Sequence, residues 1–203
     1  MQNQSQQGQF QMSNQMPAAK NHGGHEMFDA HEAINSLVGC IEHGKLYEQY
    51  IQDTRLKAIL QRQTTAITEM YNTIIDTFQS GQDPKVPTKT YEMNEGNSVL
   101  YGMKETQPKS PAKSVQDIND ECISGFMMGN IKAAASGFTM TAMEVTNPVL
   151  RRLFADSIPN LIEMAYEIFL YQNKNQYYQV PQLKEEDMQI IMNSYAAAQN
   201  KTH

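Results

Sequence analysis

Apolar positions recur at helical spacing in four stretches of this chain, and between residues 81 and 113 the spacing disappears. The first stretch starts at Met27 and places Ile34, Leu37, Val38, Ile41, Lys45 and Glu48 on one stripe. It ends near Gln52, where Asp53 or Thr54 can cap the next helix. In the second stretch Leu56, Ile59, Leu60, Gln63, Ile67, Met70, Tyr71, Ile74 and Phe78 share a face, and Ser80-Gly81 followed by Pro84 and Pro87 is a stop signal. The third runs from Ser114 to Thr146 with Val115, Ile118, Cys122, Phe126, Gly129, Ala133, Gly137 and Met140 along its stripe. Gly125, Gly129, Ala133 and Gly137 recur in steps of four, a spacing that predicts close approach of another backbone, since each glycine costs a helix about 0.5 to 1 kcal/mol. Asn147 then suits an N-cap and Pro148 a first helical turn. The fourth stretch turns Leu150, Leu153, Phe154, Ser157, Leu161, Met164, Ala165, Ile168 and Tyr171 inward, and Pro159 predicts a kink near its middle. Beyond Pro181, Glu185, Glu186 and Asp187 open a short amphipathic segment from Leu183 to Ala198, suited to capping the bundle or docking on a partner.

A structureless connection as long as 81–113 needs a physical reason. Helices of about 24 residues are about 36 Å long, and an extended chain covers roughly 3.3 Å per residue, so this segment can return along the full length of a bundle. The expectation is an all-α fold: a ferritin-like four-helix bundle with one long crossover between helices 2 and 3, plus a short C-terminal helix. Residues 1–26, rich in Gln, Asn, Ser and Gly, read as a disordered arm, 27–178 as the bundle and 179–203 as a tail.

At 203 residues the chain suits one domain with tails. A net charge of -6 with pI near 5.3 gives no basic footprint for nucleic acid or an anionic membrane. No uninterrupted apolar run is long enough to span a bilayer, and residues 1–16 hold no apolar core of a secretory signal, so the expectation is synthesis in a cytoplasm. Cys40 and Cys122 fall in different helical stretches, as reduced core cysteines rather than a zinc or disulfide motif.

A di-iron bundle needs a Glu from each of two helices and a Glu-x-x-His pair from each of the others, all at one level. On the predicted inner stripes the carboxylates are Glu48 and Glu144, which sit beside turns at opposite ends; Glu163 and Glu167 fall off the fourth stripe. Gln63 and Lys45 read as a hydrogen-bonded core pair. His22, His25, Glu26 and His31 cluster at the edge of the arm, too sparse a tract to predict a metal. The expectation is no catalytic residue, no cofactor and no enzyme; the alternative is a ferritin-like di-iron or di-manganese oxidase or catalase.

The run from Glu144 to Leu153, with its Thr146-Asn147-Pro148-Val149-Leu150-Arg151 turn, then Ala165 to Tyr171 and Tyr177-Tyr178, resembles the spore coat protein F-like family of endospore-forming bacteria. The resemblance covers most of 27–180. Gln176-Tyr177-Tyr178 stands where the family usually ends in Gly-Trp-Tyr, and the arm and tail lie outside it. It implies a ferritin-like bundle with a structural role in or beneath the spore coat, assembled through other coat proteins or a homo-oligomer such as a dimer. Without the family, Thr146 to Pro148 read as the turn, Leu150 as the residue re-entering the core, and Arg151 as reaching carbonyls or acids across the turn.

Overall fold

The computed structural model describes residues 22–198, so most of the predicted arm lies outside the described residues. Among the described residues the chain forms α1 (Gly24–Tyr47), α2 (Thr54–Ser80), α3 (Asp120–Glu144), α4 (Pro148–Lys174) and a short α5 (Glu185–Met192), with a 3-10 turn at Val115–Asp117. Local chemistry fixes their ends. The Asp53 carboxylate accepts from Arg55 N–H at the start of α2, and Gly81 closes that helix at φ 69°, in the left-handed region that glycine tolerates. Asn119 caps α3 and Asn147 caps α4, where Pro148 takes the first helical position.

Four helices pack as a square: α1 against α2 and α3, and α4 against α2 and α3. The N–H groups of Gln52 and Asp53, in the α1–α2 turn, donate to the Asp120 carboxylate at 2.9 and 3.1 Å. The first turn of α3 therefore sits at the same end as the α1–α2 turn, and the connection from Gly81 to Asn119 must travel the whole bundle. Neighbouring helices all run antiparallel, and one long crossover joins the two hairpins. The core is mainly apolar, with Leu37, Leu56, Ile59, Ile123, Leu161 and Met164 fully or almost fully buried. Phe138 of α3 meets Phe154 of α4 edge to face at 5.0 Å.

Several expectations need correction. The third helix starts at Asp120 rather than Ser114, because Ile118 adopts an extended conformation after the 3-10 turn and Asn119 supplies the cap. Its buried face is Ile123, Ser124, Met127, Met128, Ile131, Ala134, Phe138 and Thr141, one row over from the predicted stripe. Phe126 and Met140 are exposed. Gly125, Gly129 and Ala133 are exposed too, and Gly137 is half-buried. A Cβ placed on Gly125, Gly129 or Gly137 would meet nothing within 4 Å, so among the described residues no helix makes the predicted close approach there. Close approach occurs elsewhere, at Gly44 of α1, whose added Cβ would lie 2.6 Å from Thr64 Oγ1. Opposite outcomes are expected: Gly129→Ala raises stability by about 0.5 to 1 kcal/mol by removing backbone freedom, while Gly44→Ala lowers the melting temperature by forcing α1 off α2. Thermal unfolding of the two variants checks both.

Lys45 is exposed and does not pair with Gln63, Glu48 is half-buried, and Glu144 is exposed. The helix of the tail stops at Met192 and buries none of its residues, so it does not cap the bundle. At the other end, Gly24, His25 and Glu26 belong to α1 rather than to the arm. The reason is the carboxylate of Glu26, which is fully buried against the α3–α4 turn. The helix α4 continues unbroken through Pro159.

Candidate functional site

The crossover is strapped onto α4 by side chains that imitate backbone. Asn160 accepts from Tyr91 N–H at 2.8 Å and donates to Lys89 C=O at 2.8 Å. Asn173 does the same to both groups of Leu100, at 2.7 and 3.0 Å, and Gln179 to both groups of Lys104. A primary amide carries one acceptor and one donor in the geometry of a peptide group, so each of these residues holds the strap as a neighbouring strand would. A parallel bridge between Tyr101 and Val180 extends the pattern beyond α4.

Between the first two amides lies Glu167, fully buried two turns before the end of α4. Its Oε1 accepts from Arg62 Nη2 of α2 and from Asn94 N–H of the strap at 3.1 Å. Its Oε2 accepts from Tyr91 O–H and from Gln63 Nε2 at 3.1 Å; the same Gln63 nitrogen reaches Met164 C=O at 3.1 Å. Burial, and then the bond to Glu167, push the Tyr91 hydroxyl well above its ordinary pKa, so it remains a donor at every physiological pH. Farther along, Glu95 of the strap is gripped by Arg55 of α2 and Lys174 of α4, and the Arg55 bonds hold its carboxyl below the usual range.

Sequence periodicity placed Glu167 off the inner stripe; it lies at the edge of that stripe, on the flank where α4 meets α2. It is buried because the strap covers that flank. The signal available in the sequence was a row of polar residues, Asn160, Glu167 and Asn173, recurring at six or seven residues beside an apolar stripe.

A two-metal centre does not fit this donor set. Glu167 brings one carboxylate, both of whose oxygens are already engaged by a guanidinium, an amide, a phenol and a backbone N–H. Arg62 supplies the positive charge that a metal would otherwise bring. Among the described residues no group of three or more His, Cys, Asp or Glu is placed to hold a metal. Cys40 and Cys122 are half-buried free thiols, and burial raises Cys40 to about 11, so it stays protonated at neutral pH.

The Thr146-Asn147-Pro148 turn is a second polar knot. Glu26 Oε2 accepts from Thr146 N–H at 2.9 Å, from the Thr146 hydroxyl and from Asn147 N–H at 3.2 Å, while Oε1 contacts His22 Nδ1. Asn147 Oδ1 accepts from Val149 and Leu150 N–H, and its Nδ2 donates to Gly81 C=O at 3.2 Å. One turn thus ties the start of α1, the end of α2 and the α3–α4 junction. Leu150 is fully buried, whereas Arg151 is exposed and pairs with no carboxylate among the described residues. Asn147→Ala is expected to cost about 1 to 2 kcal/mol, an N-cap loss plus the Gly81 bond, measurable by urea unfolding.

What these features define is an all-helical, single-crossover bundle in which a buried ion pair fastens the crossover. The Coat F domain model matches residues 119–181, which span α3, α4 and every amide of the strap clamp. The chain is 45% identical over 199 residues to the spore coat protein F-like protein YhcQ of Bacillus subtilis (strain 168), covering 97% of this chain and 92% of that one. It therefore belongs to the spore coat protein F-like family. A crystal structure of a candidate spore coat protein from Bacillus halodurans C-125 superposes with a TM-score of 0.58 over 81% of this chain and 96% of that chain, at 13% identity, a likeness of fold alone.

Proposed function

We propose that this protein is a structural component of the bacterial endospore coat or a spore-associated layer, made in the cytoplasm of the sporulating cell and acting through protein–protein assembly rather than turnover. The observation that carries this reading is the saturation of Glu167: both oxygens of this buried carboxylate are spent on α2 side chains and on the strap, so it fastens the crossover and leaves no open ligand position. Kinship with a spore coat protein F-like relative supports it. So do large apolar side chains left outside, including Phe28 at 75% exposure, Met143 at 67%, Ile190 at 69% and Tyr195 at 86%, which suit contact with other coat proteins or a second copy.

The test is a tagged copy expressed from its own promoter in a sporulating host. Recovery in the coat extract of purified spores is expected, with no metal retained by protein purified without chelator. Two equivalents of iron or manganese per chain, or confinement to vegetative cytosol, would overturn the proposal.

A further inference from the structure

Two apolar surfaces of this chain lack a partner, and their charges are opposite. The first is the outer face of α3. Between Gly125 and Met143 that helix has one charged residue, Lys132, and it exposes Phe126, Met140 and Met143 with small residues between them. Lys132 is exposed and pairs with no carboxylate among the described residues. Depletion of charge together with Phe and Met is the composition of an interface centre rather than of a solvated helix face. The second surface is α5. Met188, Ile191 and Met192 fall on one side of it, three and four residues apart, and Glu185 and Asp187 flank that side. None of its residues is buried. A helix of eight residues is marginal in water by itself, because nucleation costs more than so few hydrogen bonds recover, so α5 calls for a surface to fold against. Its root is held to the strap by the Tyr101–Val180 bridge and the Gln179–Lys104 bonds, and its own bundle leaves it uncovered.

We infer that α5 docks on the outer face of α3 of a second copy of this chain, and that the two copies exchange this contact reciprocally. The inference rests on reading the protein as an assembly component and names its first partner. Charge selects the face: the first turn of α5 brings Glu185, Glu186 and Asp187, and the α3 face offers the unpaired Lys132. The groove between the strap and α2, another open surface, presents Glu92, which has no cationic partner among the described residues and repels the same turn. Reciprocity follows from each chain having one such helix and one such face. A two-fold pair covers both surfaces in both copies, whereas a one-way contact leaves one of each open. Eight residues lay only about 12 Å of helix on the receiving face, so even the doubled contact belongs to the small, transient class, with a dissociation constant on the order of micromolar.

Sedimentation equilibrium of the purified full-length protein, from about 5 to about 500 µM, tests this and is expected to show a reversible monomer–dimer equilibrium. Ile191→Asp/Met192→Asp charges the docking side of α5, and Met140→Asp charges the receiving face. Each is expected to raise the dissociation constant about tenfold or more, since the contact would bury an unpaired carboxylate. Lys132→Glu is expected to weaken the dimer, and Lys132→Glu combined with Glu185→Lys/Asp187→Lys to restore it, a rescue that a general structural disturbance would not give. All the altered positions are exposed, and unchanged thermal unfolding at the lowest concentration reports that the bundle is intact. A protein that stays monomeric throughout the range overturns the inference. So does a dimer that keeps its affinity in either Asp variant, or one weakened by Lys132→Glu that the exchanged charges do not restore. A monomer recovered from the coat of purified spores would sink this inference and leave the assembly reading standing, while a dimer absent from spores would do the reverse.

Discussion

Glu167→Leu is expected to destabilise the protein by about 3 to 5 kcal/mol, the loss that follows when one member of a buried ion pair is removed. The substitution strips Arg62, Gln63, Tyr91 and the Asn94 N–H of their common acceptor; Arg62, with its side chain 25% exposed, and the exposed Asn94 can turn to water, whereas Gln63 and Tyr91 are buried. Glu167→Gln keeps the shape and one acceptor oxygen, and is expected to lose less. The double variant Arg62→Met/Glu167→Leu should recover a large part of the loss, because it removes the uncompensated guanidinium. Urea unfolding of the four proteins gives the cycle. A Glu167→Leu protein within about 1 kcal/mol of the unaltered chain would mean that the strap is held without this carboxylate.

Glu26→Ala comes next, at about 2 to 3 kcal/mol, since a carboxylate accepting from two backbone N–H groups and a hydroxyl is lost from the α3–α4 turn. The exposed position of Thr146 lets water replace part of the loss. A pH dependence accompanies it. Burial alone would raise the Glu26 carboxyl, but the bonds from Thr146 and the neighbouring His22 outweigh burial and hold it below its ordinary 4.5. The unfolded chain therefore takes up this proton first as pH falls. Stability from Glu26 is fully present above 4.5 and is lost as pH drops through the folded value. Thermal melts between neutral pH and the acid range should show a smaller fall for Glu26→Ala than for the unaltered protein. Glu95, also held below its ordinary value, contributes with the same sign and remains in both proteins.

The fold was largely legible in the sequence, and the site was not. The α2 stripe read from spacing contains Leu56, Ile59, Leu60, Gln63, Ile67, Met70 and Ile74, all buried. The α4 stripe likewise reads correctly from Leu150 to Tyr171, because both helices carry polar residues on their outer sides. The helix α3 misled: it is nearly as apolar and small-residued outside as inside, so Phe126 and Met140 fitted a stripe as well as Met127 and Phe138 did. Periodicity cannot choose a face when both faces are permissive. Glycine spacing then reinforced the wrong choice.

Determined by the sequence alone were the features whose physics is settled within a turn or two of chain: the caps at Asp53, Gly81 and Asn147, the helical periods, the all-helical class and a connection long enough to cross the bundle. Only the tertiary structure decided where that connection lies, and with it which polar residues are interior. Glu167 is buried by partners 105 residues away at Arg62 and 73 residues away at Asn94. Glu26 is buried by a turn 120 residues on. Their burial is a property of the assembled surface, since a carboxylate enters a protein interior when donors from distant segments converge on it, and local periodicity carries no record of that convergence.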